Sequence, residues 1–341
     1  MDRPGPLSFY DAAAVHAWSD AFIPGESWDG PLQTYAVSEG GVPLGFISFA
    51  RRQIGRLKLP SLGGYYWPFR TCAVCADAPR RRAFAEAIAD SFARRPPGLV
   101  FRMGPISMAD LGVMELLAAF RRCGWRLLRR DLGQVFELAL TEAPPEGASP
   151  SLLKNINYER RRLAKEHGAV VTERHVLAPG SDDLLAIVER IEAASWVAQR
   201  GGDPKFLGTS NRRFWTSLAE AGTRPSVVAI WVLRCGAEPV AFSLNFETAT
   251  TLYIIANGYD ERWKARSPGS ILSADVISDA RSRGFRHLDW GQGDSGYKTR
   301  WGATVRTMLG EVLLFHPGPR GALLFQGARL ALRGWHVPPH V

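Results

Sequence analysis

Val232-Leu-Arg-Cys-Gly236-Ala-Glu-Pro239-Val-Ala-Phe242-Ser-Leu244 reads as an antiparallel hairpin: a strand, a glycine turn, a proline opening the return strand, and an apolar continuation. Much earlier, Ala36-Val-Ser-Glu-Gly40-Gly-Val-Pro43-Leu-Gly-Phe46-Ile-Ser48 places Gly, Pro and Phe at the same spacing. The elements downstream of the two hairpins also correspond. After the second, the pattern predicts a strand at 252–256, a helix at 270–283 and, beyond Gly284, a strand at 285–290. After the first it predicts a helix at 79–93 and, beyond Gly98, a strand at 99–103. Leu132-Gly-Gln-Val135 then echoes Leu309-Gly-Glu-Val312 in a last strand. Glycine turns are common, but matching elements in the same order predict two copies of one α/β unit. The Pro-rich Ala143-Pro-Pro-Glu-Gly-Ala-Ser segment joins them. The expected divisions are 1–145, 146–316 and a tail at 317–341.

The chain has 341 residues, 46% hydrophobic and 22% charged, which excludes wholesale disorder and fibrous repeats. Lys and Arg total 42 against 33 Asp and Glu, a net charge of +9. Such an excess suits an anionic partner: a phosphate-rich cofactor, a nucleic acid, a nucleotide-sugar or a lipid head group. The longest apolar run, 227–233, is far short of the ~20 residues that span a bilayer. Met-Asp-Arg-Pro-Gly-Pro lacks the apolar core of a secretory signal, and four cysteines form no disulfide framework, so a cytoplasmic protein is expected. Cys72-Ala-Val-Cys75 has the spacing of half a zinc site, but no second pair comes after it; two small buried thiols are expected there and no metal.

Ser149 before Pro150 predicts a helix start, and the helix to 167 carries Leu152, Leu153, Ile156 and Leu163 on one stripe. Lys154, Arg161 and Lys165 line the next stripe, as a solvated basic face or as an anion-binding one. Arg160 falls on the apolar side, where it must snorkel or meet a buried anion. Further on, Trp196 and Arg200 either line an acceptor pocket or belong to the core. Arg266-Ser267-Pro-Gly269-Ser270-Ile joins a strand to a helix whose first amides and dipole suit a phosphate. Asp289-Trp-Gly291-Gln-Gly293-Asp294-Ser-Gly296-Tyr297-Lys298 comes after a strand and delivers two carboxylates, a phenol and an ammonium to its C-terminal end, where open α/β sheets bind ligands. His287 shares a strand face with Asp289. Serine nucleophile elbow, Walker loop and Rossmann fingerprint are all missing, which disfavours hydrolase, NTPase and dehydrogenase readings. In the tail, Leu323, Leu324, Leu330 and Leu332 with Arg320, Arg329 and Arg333 predict a short basic amphipathic helix, either touching an anionic membrane surface as a peripheral contact or packing on the core.

From 150 to about 315 this layout resembles the GNAT acyltransferase superfamily, in particular its CelD-like polysaccharide-associated branch and the related tandem Fem-type peptidyltransferases. The resemblance is carried by Asn155-Ile-Asn-Tyr-Glu-Arg160-Arg-Arg, Trp196…Arg200-Gly, Ser267-Pro-Gly and Asp289-Trp-Gly…Tyr297-Lys298. It implies an α/β (α+β) fold of two tandem GNAT-like units, each a mixed, largely antiparallel sheet flanked by helices, the first unit degenerate. The implied activity is transfer of an acyl group from acyl-CoA to an amine or hydroxyl of a sugar, cell-envelope or small-molecule acceptor. Arg266, Ser267, Gly269 and Ser270 would hold the coenzyme A pyrophosphate, although Ile271 replaces the small residue that ends the family's loop. Backbone amides of Ala256, Asn257 and Gly258 would hold the donor's carbonyl oxygen. Asp289 and Asp294 are the candidate bases, Tyr297 the acid, Lys298 the stabiliser of negative charge, and Arg160, Arg161, Trp196 and Arg200 the acceptor contacts. Fem-type enzymes take their acyl group from aminoacyl-tRNA instead, so a tRNA-borne donor stands as the alternative, and a non-catalytic binding module as a third.

Overall fold

The computed structural model describes residues 11–23, 28–54, 57–64, 71, 74–75, 78–140, 148–199, 208–221 and 226–338. In chain order the elements are α1 (Ala12–Phe22), β1 (Trp28–Glu39), β2 (Val42–Ile54), β3 (Leu57–Leu62), β4 (Val74–Cys75), α2 (Ala78–Arg94), β5 (Val100–Ser107), α3 (Leu111–Arg122) and β6 (Arg126–Ala139). Then come α4 (Pro150–His167), β7 (Val170–Val176), α5 (Asp182–Ala193), α6 (Trp196–Gln199), α7 (Thr209–Glu220), β8 (Val227–Cys235), β9 (Glu238–Glu247) and β10 (Thr251–Tyr259). A 3-10 turn, Glu261–Arg266, leads into α8 (Pro268–Ser282), and the chain ends with β11 (His287–Gln292), β12 (Thr304–Phe315) and α9 (Pro319–Ala331).

The fold is α/β with mostly antiparallel strands, and both expected hairpins form, closing at Glu39↔Val42 and Cys235↔Glu238. Gly236 has φ +59°, and a Cβ there would lie 2.5 Å from the His167 carbonyl oxygen, so only glycine lets this turn meet the end of α4. Each repeat also has one parallel pair, β3 with β5 and β10 with β11. Sequence patterning misses β3, because Lys58 and Pro60 interrupt its alternation.

Two compact units result, one of residues 1–134 and 307–341, the other of 135–306. These limits differ from 145 and 316 because the last strands are exchanged between the repeats. The end of β6 pairs with β11 (Leu288↔Leu138), and β12 pairs with β5 (Leu313↔Arg102). Strand order is β1-β2-β3-β5-β12-β6 in the first unit and β6-β11-β10-β9-β8-β7 in the second. The tail forms α9 and belongs to the first unit, whose core centres on Phe49, Phe92, Phe101, Phe120 and Trp125. The second core joins Ile156 and Leu163 of α4 and Ile271 and Val276 of α8 to Trp231, Leu252, Leu288 and Trp290 of the sheet.

Glu247, buried at the end of β9, fixes α8 against that sheet. Its carboxylate accepts two bonds from Arg283, just past the helix (2.8 and 2.6 Å), and two from Arg174 of β7 (3.0 and 2.7 Å). Burial alone would raise the Glu247 pKa, but the bonds from the two guanidinium groups outweigh it and hold the pKa below the ordinary carboxylate value. A depressed folded-state pKa contributes stability that is present above the unfolded value and lost as pH falls through the folded one. Glu247→Ala leaves two partly buried cations facing each other, and should cost about 3 kcal/mol in urea denaturation at neutral pH. The gap between wild type and Glu247→Gln should shrink as pH falls below 4.5, the usual glutamate pKa. A gap constant down to about pH 3, roughly 1.5 units lower, would refute the charge-based account.

Candidate functional site

In the second unit β10 and β11 pair at Thr251↔His287, Leu252↔Leu288 and Tyr253↔Asp289. Past that point β10 continues to Tyr259 along β9, and β11 continues to Gln292 along β6. The facing edges of β10 and β11 therefore part at their C-terminal ends, and the N–H groups of β10 that point away from β9 there have no strand partner among the described residues. A bulge between Ile254 and Ala256 re-aims β10 just beyond the parting point. Ala256, Asn257 and Gly258 lie in this segment, with Asn257 exposed.

The N-terminus of α8 comes directly after it. Ser267 adopts the left-handed conformation (φ 53°), alone in this among the described non-glycine residues, and Pro268 opens the helix. Much of the loop's hydrogen-bonding capacity is used internally: Ser267 N–H donates to Lys264 O, while Ser270 and Ile271 N–H both donate to Ser267 O. Among the described residues Gly269 N–H has no such backbone acceptor in the loop. The Arg266 guanidinium meets Glu166 at 2.8 Å and Glu159 at 3.9 Å, both on α4, which partly neutralises the charge expected to face a phosphate.

Tyr297 joins the glycine-rich segment to this helix. Its hydroxyl lies 2.6 Å from Ser273 Oγ and 3.4 Å from the Gly269 carbonyl oxygen. Enclosure by neighbouring groups pushes the phenol pKa up, so it stays protonated at neutral pH. Lys298 Nζ donates to the carbonyls of Gly291 and Gln292, both at 3.0 Å, with the Phe136 ring centre 5.7 Å away. The ammonium is thereby held at the end of β11.

The two expected bases fare differently. Asp294 accepts the N–H groups of Lys298 (2.8 Å) and Thr299 (3.1 Å) and so caps the turn that carries Lys298. Partial burial raises its pKa, but these amide bonds prevail and keep it below the ordinary value, which opposes its expected role as a base. Asp289 is buried, and its Oδ1 accepts the Gly291 N–H at 2.8 Å. Directly across from it stands Glu137 of β6, a residue that sequence reasoning overlooked. Glu137 Oε1 lies 3.2 Å from His287 Nδ1 and 3.7 Å from Arg306 Nε. Leu288 and Trp290 pack in the α8 core, so Glu137, His287 and Asp289 form a cluster on the opposite face of the sheet.

The proposed acceptor contacts are not gathered with these groups. Arg160 does meet an anion, but it is Asp275 of α8, which Thr172 also contacts. Arg161 is exposed and its Nε donates to Asn157 O one turn back, at 3.1 Å. Trp196 is largely exposed on α6, while Arg200 and Cys72 lie outside the described residues.

Asp294→Asn keeps an acceptor for one of the two amides, so it should lose less stability than Asp294→Ala, which should lose about 1 kcal/mol in thermal denaturation. Equal stability of the two variants would remove the capping role.

Residues 150–299 match the acetyltransferase (GNAT) domain family. Among solved structures, FemX is similar over 95% of this chain and 100% of its own, with a TM-score of 0.62 and 11% identity. The C-terminal domain of a protein assigned as a lysylphosphatidylglycerol synthetase, from Agrobacterium fabrum, is similar over 97% of this chain and 99% of its own (TM-score 0.53, 15% identity). L-PGS from Bacillus licheniformis is similar over 97% and 100% (TM-score 0.52, 13% identity). No curated protein matches the sequence. At these identities the likeness to the solved structures is one of fold, shared with FemX, and the match to the acetyltransferase (GNAT) domain family extends over residues 150–299.

Proposed function

We propose that the second unit transfers an acyl group from acyl-CoA to an amine or hydroxyl of a sugar, cell-envelope or small-molecule acceptor. The parting of β10 from β11 opposite the N-terminus of α8 carries this reading. An extended thioester arm fits between two such strand ends, and the unpaired N–H groups around Ala256, Asn257 and Gly258 suit the carbonyl oxygen, on which negative charge develops. Gly269, Ser270 and the start of α8 would meet the phosphates.

An amine acceptor is mostly protonated at neutral pH and must lose a proton to attack. Asp289, the member of the Glu137–His287–Asp289 cluster that stands where the two strands part, takes it directly or through a water, with Glu137 across from it on β6. The nucleophile adds to the carbonyl carbon, the C–S bond breaks, and the departing thiolate takes a proton from the Tyr297 hydroxyl, which water restores. Lys298 steadies the negative charge of the transition state from the end of β11.

A second reading, an aminoacyl ester carried by tRNA, is favoured by the phosphate loop itself. Arg266 is partly neutralised by Glu159 and Glu166, and three of the loop's amides are already bonded, which weakens the case for a pyrophosphate there. The lysyl group in the name of one fold relative supports the same class of donor.

Calorimetric titration with acetyl-CoA, longer acyl-CoAs and free coenzyme A separates the two. Saturable binding, weakened by Gly269→Val, supports the thioester; absence of binding to all three overturns it and directs the assay to aminoacyl-tRNA. With whichever donor is active, Lys298→Ala should lower kcat by about 10²-fold with the fold intact. Asp289→Asn, which keeps an oxygen to accept the Gly291 N–H, should lower it by a similar factor and remove the acidic limb of the pH profile. Full turnover in the folded Lys298→Ala protein would take Lys298 out of the mechanism.

A further inference from the structure

Helix α9 is apolar on two faces. Gly321, Phe325 and Ala328 pack inward with Leu128, Leu313 and Phe315 of the first unit, which anchors the helix. At 100° per residue the opposite face is centred on Leu323 and Leu330, with Leu324 and Ala331 beside them. Leu323 is 75% exposed and Leu330 84%, about the least favourable places on a folded surface for such side chains. Packing against the core has therefore satisfied only half of the helix's apolar surface.

The charges around this face have one sign. Arg320 and Arg329 flank the leucines on either side of the helix, and Arg333 lies just beyond it. From 316 to 341 the chain has no Asp or Glu. Arg121 donates to Pro338 O at 2.7 Å and Arg126 to Pro317 O at 3.3 Å, which brings two more guanidinium groups to the ends of the same segment. A second copy of this surface would set arginine against arginine. An anionic bilayer complements both features, because phosphates meet the arginines while the leucines enter the acyl boundary. Thirteen residues are too few to cross a membrane, so the helix would lie in the plane of the interface.

We propose that the outward face of α9 docks this protein on an anionic phospholipid surface. The full chain should sediment with vesicles of phosphatidylcholine containing one-third phosphatidylglycerol, release as salt rises, and stay in solution with phosphatidylcholine alone. The double variant Leu323→Ser/Leu330→Ser should bind these vesicles at least about tenfold more weakly with its circular dichroism and melting unchanged, since neither side chain is in the core. Arg320→Gln/Arg329→Gln should weaken binding by about tenfold in all and flatten the salt dependence. Lack of sedimentation with the anionic vesicles overturns the proposal, as does undiminished binding by the leucine variant. Sedimentation velocity adds a further test: a dimer that the leucine variant disperses would assign this face to a second copy instead.

Discussion

β11 touches β10 for only three residue pairs, so its other edge, against β6, must hold it in the sheet as far as Gln292. A strand that left β10 without such a partner would expose both rows of its backbone groups at the point where a dry site is needed. The end of β6 supplies the missing row, and everything proposed for the site depends on that pairing. It lets β10 and β11 part without fraying, it sets Glu137 across from Asp289, and it holds Gly291 and Gln292, whose carbonyls anchor Lys298. The bulge beside Trp290, fixed by the Asp289 bond to Gly291 N–H, turns β11 toward the segment that brings Tyr297 back to α8.

The same pairing explains how far the amino-acid sequence could disclose the fold. Hairpins, helices and parallel strands that arise from local pattern were legible, down to Pro268 at the start of α8 and Ser149 capping α4. The repeat was legible too, because glycine, proline and phenylalanine recur at fixed spacing. Strand exchange was not, since β6 has the same local pattern whether it completes the first repeat or the second. Glu137 was lost with it. A single charge between Phe136 and Leu138 is a weak signal until the register places it beside His287 and Asp289. Tyr297 and Lys298 were found because glycines mark their segment, yet the capping role of Asp294 needed the turn geometry.

Basic residues were the most misleading part of the sequence, for an electrostatic reason. A net charge counts ions without regard to pairing, and in this fold many arginines are spent on internal carboxylates. Glu247 takes Arg174 and Arg283, Glu311 takes Arg102 and Arg130, and Asp275 takes Arg160. Arg266 is divided between two glutamates of α4. Paired in this way, these cations fix helices to strands and contribute little to the field felt by a distant phosphate. Arg160 of α4 is a structural device of this kind, whereas Lys154, Arg161 and Lys165 of the neighbouring stripe stay exposed.

One surface segment carries positive charge with no carboxylate near it in sequence: from 316 onward three arginines, Arg320, Arg329 and Arg333, coincide with leucines that the core does not use. Exposed leucine costs nothing when single and scattered, but on one helical face, between arginines, it gives the helix a second apolar surface as directional as the first. Phe325 shows that α9 had a buried face sufficient to hold it in place. Replacing the outer leucines by polar residues would have left that anchorage intact, so folding by itself gives no physical reason for keeping them.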